Sequence, residues 1–557
     1  MQGNIVLILP VLFLAAMGIA VLTGKKLRTS RRRLIGTAAV SLGGGAVLTM
    51  AALASGKAGL KLWQLTENTA IEFRVDQVSV IFAGLTAAMW LLVGVYSFKY
   101  MTHEKNEHQF LGWYLVTFGV LIGLDFAANL ITFYIMYELM SLVSLPLVLH
   151  ERTKEAVMAG LKYLFYSMAG AFTALFGIFF LTTVCPNLDF TPGGIFSEGM
   201  LSGGSFTESM LSKGILSGGS FTESILSEGI SVGGLFSDGT NLILIAAFCI
   251  LIGFGVKAGM FPFHGWLPTA HPAAPAPASA VLSGVIAKSG VLGIIRVVYF
   301  IIGPDMIRGT WVQNVWILLS LITVFMGSML AYREPVLKKR LAYSTVSQIS
   351  YILFGLSILQ PIGFAGALSH VVFHSLIKNA LFLAAGAIIF TTGWTRVEQM
   401  RGLGRIMPKM LTVYTIVSLG LIGIPPLSGF VSKWYLAQGA LASGTGIWSW
   451  LGPVVLLVSA LLTAGYLLPL TIQGFFPGAD FNVEEIRLRN PDEKRNSNEK
   501  RNLNEKRSLN EEKNPDEKEP SALMLVPAAL MAGATLLFGC FPGPLFKLLE
   551  ELAAMIF

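Results

Sequence analysis

Apolar residues run in blocks of about 20 along almost the whole chain, separated by short polar connections. A block of that length, coiled as a helix, crosses the hydrocarbon core of a bilayer. The pattern predicts an all-α polytopic membrane protein with about fourteen such spans. They fall near residues 4–23, 34–54, 77–98, 110–127, 129–149, 157–184, 241–260, 274–301, 311–331, 344–360, 363–391, 410–437, 448–473 and 522–541.

The basic residues orient these spans. KKLRTSRRR, the stretch Arg333–Arg340 and the stretch Arg396–Lys409 all fall in odd-numbered connections. By the positive-inside bias those connections are cytoplasmic, so both termini lie outside a cell (inner) membrane. The first block has no basic residues ahead of it and reads as a span, not as a cleaved signal peptide. Hydrophobic residues make up 54% and charged residues only 13% of the chain, which excludes a soluble class. The net charge of +8 sits in the connections, so it argues against a nucleic-acid partner. Cys185, Cys249 and Cys540 are scattered without metal or disulfide spacing, so no metal, cofactor or redox chemistry of its own is expected.

Two segments break the pattern. Residues 186–240 carry LSGGSFTESMLSKGI followed by LSGGSFTESILSEGI, a Gly/Ser-rich insertion expected outside. Residues 474–521 carry a charged low-complexity run, NPDEKR-NSNEKR-NLNEKR-SLNEEK-NPDEKE, expected as a cytoplasmic loop. A fainter repeat is more telling. Lys162 is followed by Gly170-Ala171 and Lys378 by Gly386-Ala387 at the same spacing, and each is followed by a lysine in a proline-interrupted span, Lys257 and Lys433. Two units of five spans, an odd number, must be inverted relative to one another, as in many secondary transporters. The chain then divides into N-terminal spans 1–109, a first half-channel unit 110–301, a second 302–473, the charged loop and a C-terminal span 522–557.

The candidate chemistry is a set of charges inside apolar blocks. Lys162, Lys257, Lys288, Lys378 and Lys433 are all of this kind. A lysine at the bilayer centre costs roughly 2.5–3.5 kcal/mol on insertion scales, so several of them point to an ion pathway. Glu138, mid-span in MYELMSLVSLPLV, is the expected carboxylate partner of a neighbouring lysine, a pair whose opening and closing would release and retain a proton. Prolines 262, 268 and 272 follow Lys257, and Pro425-Pro426 precede Lys433; each breaks a helix and frees carbonyls. His370, His374 and Lys378 are spaced by four and share one helix face, which suits proton relay better than a metal, since no acidic third ligand accompanies them. His264 and His271 flank the first break, either as proton-admitting groups or as loop residues. Arg296 cannot shed its proton and reads as structural or field-setting, and Asp76 and Asp125 as solvated or capping groups near the surface.

The stretches around these residues resemble the antiporter-like membrane subunits shared by respiratory complex I, the Mrp cation/proton antiporters and the group 4 membrane-bound hydrogenases. The stretch VKAGMFPFHGWLPTAHPAAPAPASAVLSGVIAKSG is the most specific; MYELMSLVSLPLV, SHVVFHSLIKNALFLAAGA and GIPPLSGFVSKW add to it, and the likeness covers most of 70–475. The resemblance implies fourteen spans with two inverted five-helix repeats containing broken helices. It maps a Glu–Lys pair onto Glu138 and Lys257, a central lysine onto Lys288, a connecting face onto His370, His374 and Lys378, and an exit-side residue onto Lys433. It implies other membrane subunits as partners, and a hydrogenase or complex I-like peripheral arm if the complex is redox-driven. Thr269 departs from the acidic residue often found in relatives, so no carboxylate acts there. The expected function is proton translocation, with Na+/H+ exchange left open, inside a larger ion pump. A non-redox Mrp-type antiporter and an inert membrane scaffold are the rivals.

Overall fold

The computed structural model of this 557-residue chain describes residues 2–56, 59–66, 69–185, 188–196, 239–478 and 519–557. Among them, eleven helices are long and apolar enough to cross a membrane. Three predicted spans fall on helices outside that set, for visible reasons. Glu107–Asp125 opens on Glu107, His108 and Gln109; Leu337–Ser357 opens on Lys338, Lys339 and Arg340; and the block at 410–437 is split into Pro408–Ile422 and Ser428–Leu441.

Burial separates the centre of the bundle from its rim. Ala276–Ile302 is 100% buried in its most apolar stretch and Pro361–Thr392 is 89% buried, whereas Arg31–Ala54 and Ile447–Phe475 are 33% buried. The first two are therefore surrounded by protein, and they carry Lys288, His370, His374 and Lys378. The rim helices turn large apolar side chains outward, among them Val40, Phe165, Phe179, Leu457 and Leu461.

Close helix contacts run through small residues, which let backbones approach where lipid gives no hydrophobic drive between helices. A Cβ on Gly170 would come within 2.7 Å of the Gly253 carbonyl oxygen, and one on Gly177 within 2.6 Å of that of Ala246. These contacts lock Lys154–Val184 against Gly239–Ala258. At Gly429 a Cβ would overlap the Gly420 carbonyl. Gly429→Ala is expected to separate Pro408–Ile422 from Ser428–Leu441 and lower stability by about 1–3 kcal/mol, as overpacking does, read as an earlier thermal unfolding of the solubilised chain.

Helix breaks coincide with the sequence signals. Gly239–Ala258 stops at Gly259 (φ +77°) and the chain resumes as Phe263–Trp266 and Leu267–Ala273. Pro408–Ile422 stops at Gly423 (φ +94°), ahead of Pro425-Pro426. Glycine is required at both stops because a Cβ disfavours positive φ. Around Lys288 the helix widens into two π turns, Leu282–Ile286 and Val298–Ile302, which the sequence pattern did not reveal. Such turns leave carbonyls off the regular ladder.

Two further elements escaped prediction. Gln2–Gly3, Leu60–Thr66 and Thr69–Phe73 form a small antiparallel sheet, short enough to look like span-to-span connection. Gly543–Ile556 is an amphipathic helix, too short to span, burying Phe546, Leu549, Leu552 and Ile556. The tandem repeat expected at 186–240 lies outside the described residues apart from 188–196 and 239–240, as does the charged run at 479–518.

Candidate functional site

Four ammonium groups define the site, those of Lys257, Lys288 and Lys378 buried and that of Lys433 half-buried, and each is held by neutral oxygens. Lys257 Nζ, at 1% exposure, donates to Ser141 Oγ (3.0 Å), Tyr163 Oη (2.7 Å) and Ser167 Oγ (3.0 Å). Tyr163 and Ser167 stand four apart on Lys154–Val184 and so share a face, while Ser141 comes from Leu130–Val148. The ammonium also lies 4.3 Å from the centre of the Tyr163 ring.

Lys288 lies just past the first π turn and donates to the carbonyls of Gly284 (2.7 Å) and Ser283 (3.3 Å). Ser375 Oγ donates to the same Gly284 carbonyl at 2.6 Å. Ser375 sits between His374 and Lys378, so this one oxygen ties the central lysine to the histidine helix. A Cβ on Gly290 would come within 3.1 Å of Lys257 Cβ, which places the Lys257 and Lys288 helices side by side.

His370, His374 and Lys378 do share one face of Pro361–Thr392. The two imidazoles stack at 5.8 Å. Lys378 Nζ donates to Ser344 Oγ (2.7 Å) and the Leu341 carbonyl (2.9 Å), and Tyr466 donates to the same Ser344 hydroxyl (2.8 Å). His370 Nδ1 meets Ser432 Oγ at 2.9 Å, next to Lys433 in sequence. Lys433 donates to the carbonyls of Leu421 (2.6 Å) and Ile422 (3.0 Å), at the break that Gly423 creates.

Several buried polar atoms along this row have no protein partner among the described residues: both ring nitrogens of His271 and His374, Nε2 of His370, and both amide atoms of Gln348. Buried polar groups without partners are rare and call for hydration or a functional explanation. Here they line up. Ser344 contacts Lys378, Tyr351 stacks on His370 at 5.7 Å, and Gln348 lies between them on the same face, opposite His374.

The expected Glu138–Lys257 ion pair is not formed. Glu138 Oε1 accepts from Tyr134 Oη at 2.9 Å, one turn back on its own helix, while the ammonium is satisfied by three hydroxyls. Glu138 is half-buried and flanked by exposed Ile135 and Leu139, so it faces the outside of this chain. The ion pairs among the described residues are Arg31–Glu107, Arg296–Asp76, Arg308–Asp305 and Lys339–Glu334, none of which involves the buried lysines. Asp76 caps the Gln77–Tyr100 helix as expected and also grips Arg296 at 2.5 and 3.0 Å. Asp125 is not a surface group: it is 3% exposed and accepts from Thr86 at 3.0 Å. Its position at the end of a helix suggested the surface, but Thr86 of the Gln77–Tyr100 helix packs against it, and the chain just beyond is tied to the sheet by the Phe73–Ala127 bridge.

Of the secondary candidates, Lys162 is half-buried and donates to Thr269 Oγ1 at 3.2 Å. His264 is partly exposed and stacks on Phe261 at 6.2 Å. His271 is fully buried and stacks on Phe382 at 4.7 Å, with Lys378 Nζ 6.0 Å from the same ring, so it belongs to the central row and not to a loop. The lysine cradles Ser141, Tyr163, Ser167 and Ser344 were not legible in advance, because a hydroxyl in an apolar helix usually bonds back to its own backbone. Among the described residues no three His, Cys, Asp or Glu side chains converge as metal ligands.

This arrangement has relatives. Residues 127–463 match the family model described as NADH:quinone oxidoreductase/Mrp antiporter, transmembrane, and residues 64–111 match that of the complex I chain 5 N-terminus. NADH-quinone oxidoreductase subunit N of Desulforudis audaxviator is 28% identical over 404 residues, 71% of each chain. Hydrogenase-4 component B of Escherichia coli is 31% identical over 385 residues, 66% of this chain and only 51% of that longer protein. A chain in the structure of the Mrp complex from Dietzia shares the fold, with a TM-score of 0.75 at 21% identity over 99% of this chain and 98% of that one. With the family model covering most of the bundle that holds the buried lysines, this chain belongs to the NADH:quinone oxidoreductase/Mrp antiporter family of multi-pass membrane subunits.

Proposed function

We propose that this chain carries protons across the cell (inner) membrane, as the antiporter-like subunit of a multisubunit redox-driven pump. The observation that carries this reading is the row of lysines held only by hydroxyls and carbonyls, with His370 and His374 between them. An ammonium without a fixed counter-charge keeps or releases its proton according to charges that arrive beside it. A lysine paired permanently with a carboxylate would not respond in this way.

In this reading residues 110–301 and 302–473 are two inverted half-channels, preceded by three spans in 1–109 and followed by the charged loop and a fourteenth span, with both termini outside. Protons pass along Lys257, Lys288, the His370/His374/Lys378 face and Lys433. Lys162 and His264 serve uptake on the cytoplasmic side, and His271 takes part in the central row beside Lys378. Glu138, half-buried at the edge of the bundle, receives the signal from a neighbouring membrane subunit and acts on Lys257 through the field of its charge.

Purifying the native complex and identifying its co-purifying subunits by mass spectrometry tests the assembly. A nickel-hydrogenase or iron–sulfur subunit supports a redox pump, and Glu138→Gln is then expected to retain electron flow and lose pumping. Small membrane subunits alone would replace the redox-driven reading with a cation/proton antiporter.

A further inference from the structure

A cavity of about 330 Å³ lies away from the lysine row, where the Glu107–Asp125 helix, the end of Leu130–Val148 and the start of Lys154–Val184 meet. One wall is polar: Gln109, His150 and Arg152, with the Trp113 indole beside them. The other is apolar: Pro146, Leu149, Val157 and Leu161. Val157 is 41% and Leu161 54% exposed, so this wall continues onto the membrane-facing surface. The polar wall belongs to the bundle end that carries the basic connections, since Arg31 of the first of them binds Glu107, two residues before Gln109.

The polar groups are set for a ligand. Arg152 Nη2 donates to Gln109 Oε1 at 2.6 Å, which holds the guanidinium at the rim, its other donors without a partner among the described residues. His150 is 9% exposed, and its Nε2 has no partner among the described residues. Burial pushes the imidazole down to about 4, with the Arg152 charge adding to the shift and the nearby Lys105 backbone opposing it. At neutral pH the ring is therefore uncharged, and in the tautomer protonated on Nδ1 the Nε2 atom is a hydrogen-bond acceptor that lacks a donor.

We infer that this cavity binds a glycerophospholipid whose headgroup carries a hydrogen-bond donor beyond its phosphate, as ethanolamine and glycerol headgroups do. Arg152 takes the phosphate, His150 Nε2 accepts from the headgroup ammonium or hydroxyl, and the acyl chains run down Leu149, Val157 and Leu161. Trp113 lines the same cavity, and indoles favour the membrane–water boundary. A choline headgroup has no N–H or O–H for His150, and a free anion leaves the apolar wall uncovered.

The test uses the purified complex in phosphatidylcholine vesicles doped with a photoactivatable phosphatidylethanolamine, adducts being mapped by mass spectrometry. Labelling of residues 109–113 and 146–161 is expected at about threefold to tenfold the level given by a matching photoactivatable phosphatidylcholine, the worth of one hydrogen bond. An excess of inorganic phosphate should leave it unchanged. Arg152→Gln should reduce labelling by both lipids, and His150→Phe should bring phosphatidylethanolamine down to the phosphatidylcholine level. Equal labelling by the two lipids in the unaltered chain, no labelling of these segments, or loss of labelling with inorganic phosphate would each overturn the proposal. The comparison in the unaltered chain decides even if a variant fails to assemble.

Discussion

Lys257→Met is expected to abolish ion translocation while the chain still inserts and assembles. Methionine fills much of the lysine volume, and replacing a buried charge by an apolar group of similar size is often close to neutral for stability. Tyr163 keeps its 2.7 Å bond to Ser144 and Ser141 its 3.1 Å bond to the Tyr137 carbonyl, so the main loss falls on the Ser167 hydroxyl, at about 1–3 kcal/mol. What disappears is the exchangeable proton. Proton uptake by vesicles bearing the native complex reads the first effect, and the yield of assembled complex reads the second. Normal assembly with normal pumping would make the lysine inert and leave this subunit a scaffold.

Arg296→Leu is expected to have the largest effect on stability. Arg296 is 1% exposed, and its guanidinium holds both carboxylate oxygens of Asp76 and the Ser79 hydroxyl, with Phe190 and Phe300 at its faces. Removing one member of a fully buried pair strands the other charge at about 3–5 kcal/mol, and the 26% exposure of the Asp76 side chain brings the expected loss toward the lower end. The same pair fixes the start of the Gln77–Tyr100 helix, because Asp76 is also its cap. Thermal unfolding of the solubilised variant should come much earlier than for the native chain. The double change Arg296→Leu with Asp76→Asn should recover most of the loss, since no charge is then left unpaired and a side-chain oxygen still caps the helix. A double variant as unstable as the single one would show that the arginine acts through packing and not through the pair.

The apolar blocks, the basic connections and the broken helices could be read from the sequence because each follows from local chemistry. A span needs length and apolarity, orientation needs basic residues, and a break needs proline or glycine at a known place. Residues spaced by four were bound to share a face, so the His370/His374/Lys378 row was legible as well. Tertiary structure alone decided what surrounds each charge. Ser141, Tyr163 and Ser167 reach Lys257 from two other helices, and Glu138 turns toward Tyr134 and the outer face of the bundle. The π turns that free the Gly284 carbonyl, the burial of His271 and Asp125, and the small sheet depend likewise on contacts between distant segments. Helical periodicity gives the face a side chain occupies, but not which neighbour packs there. A buried lysine's behaviour depends on that neighbour, because the stability of its charge is set by the few oxygens and charges within reach.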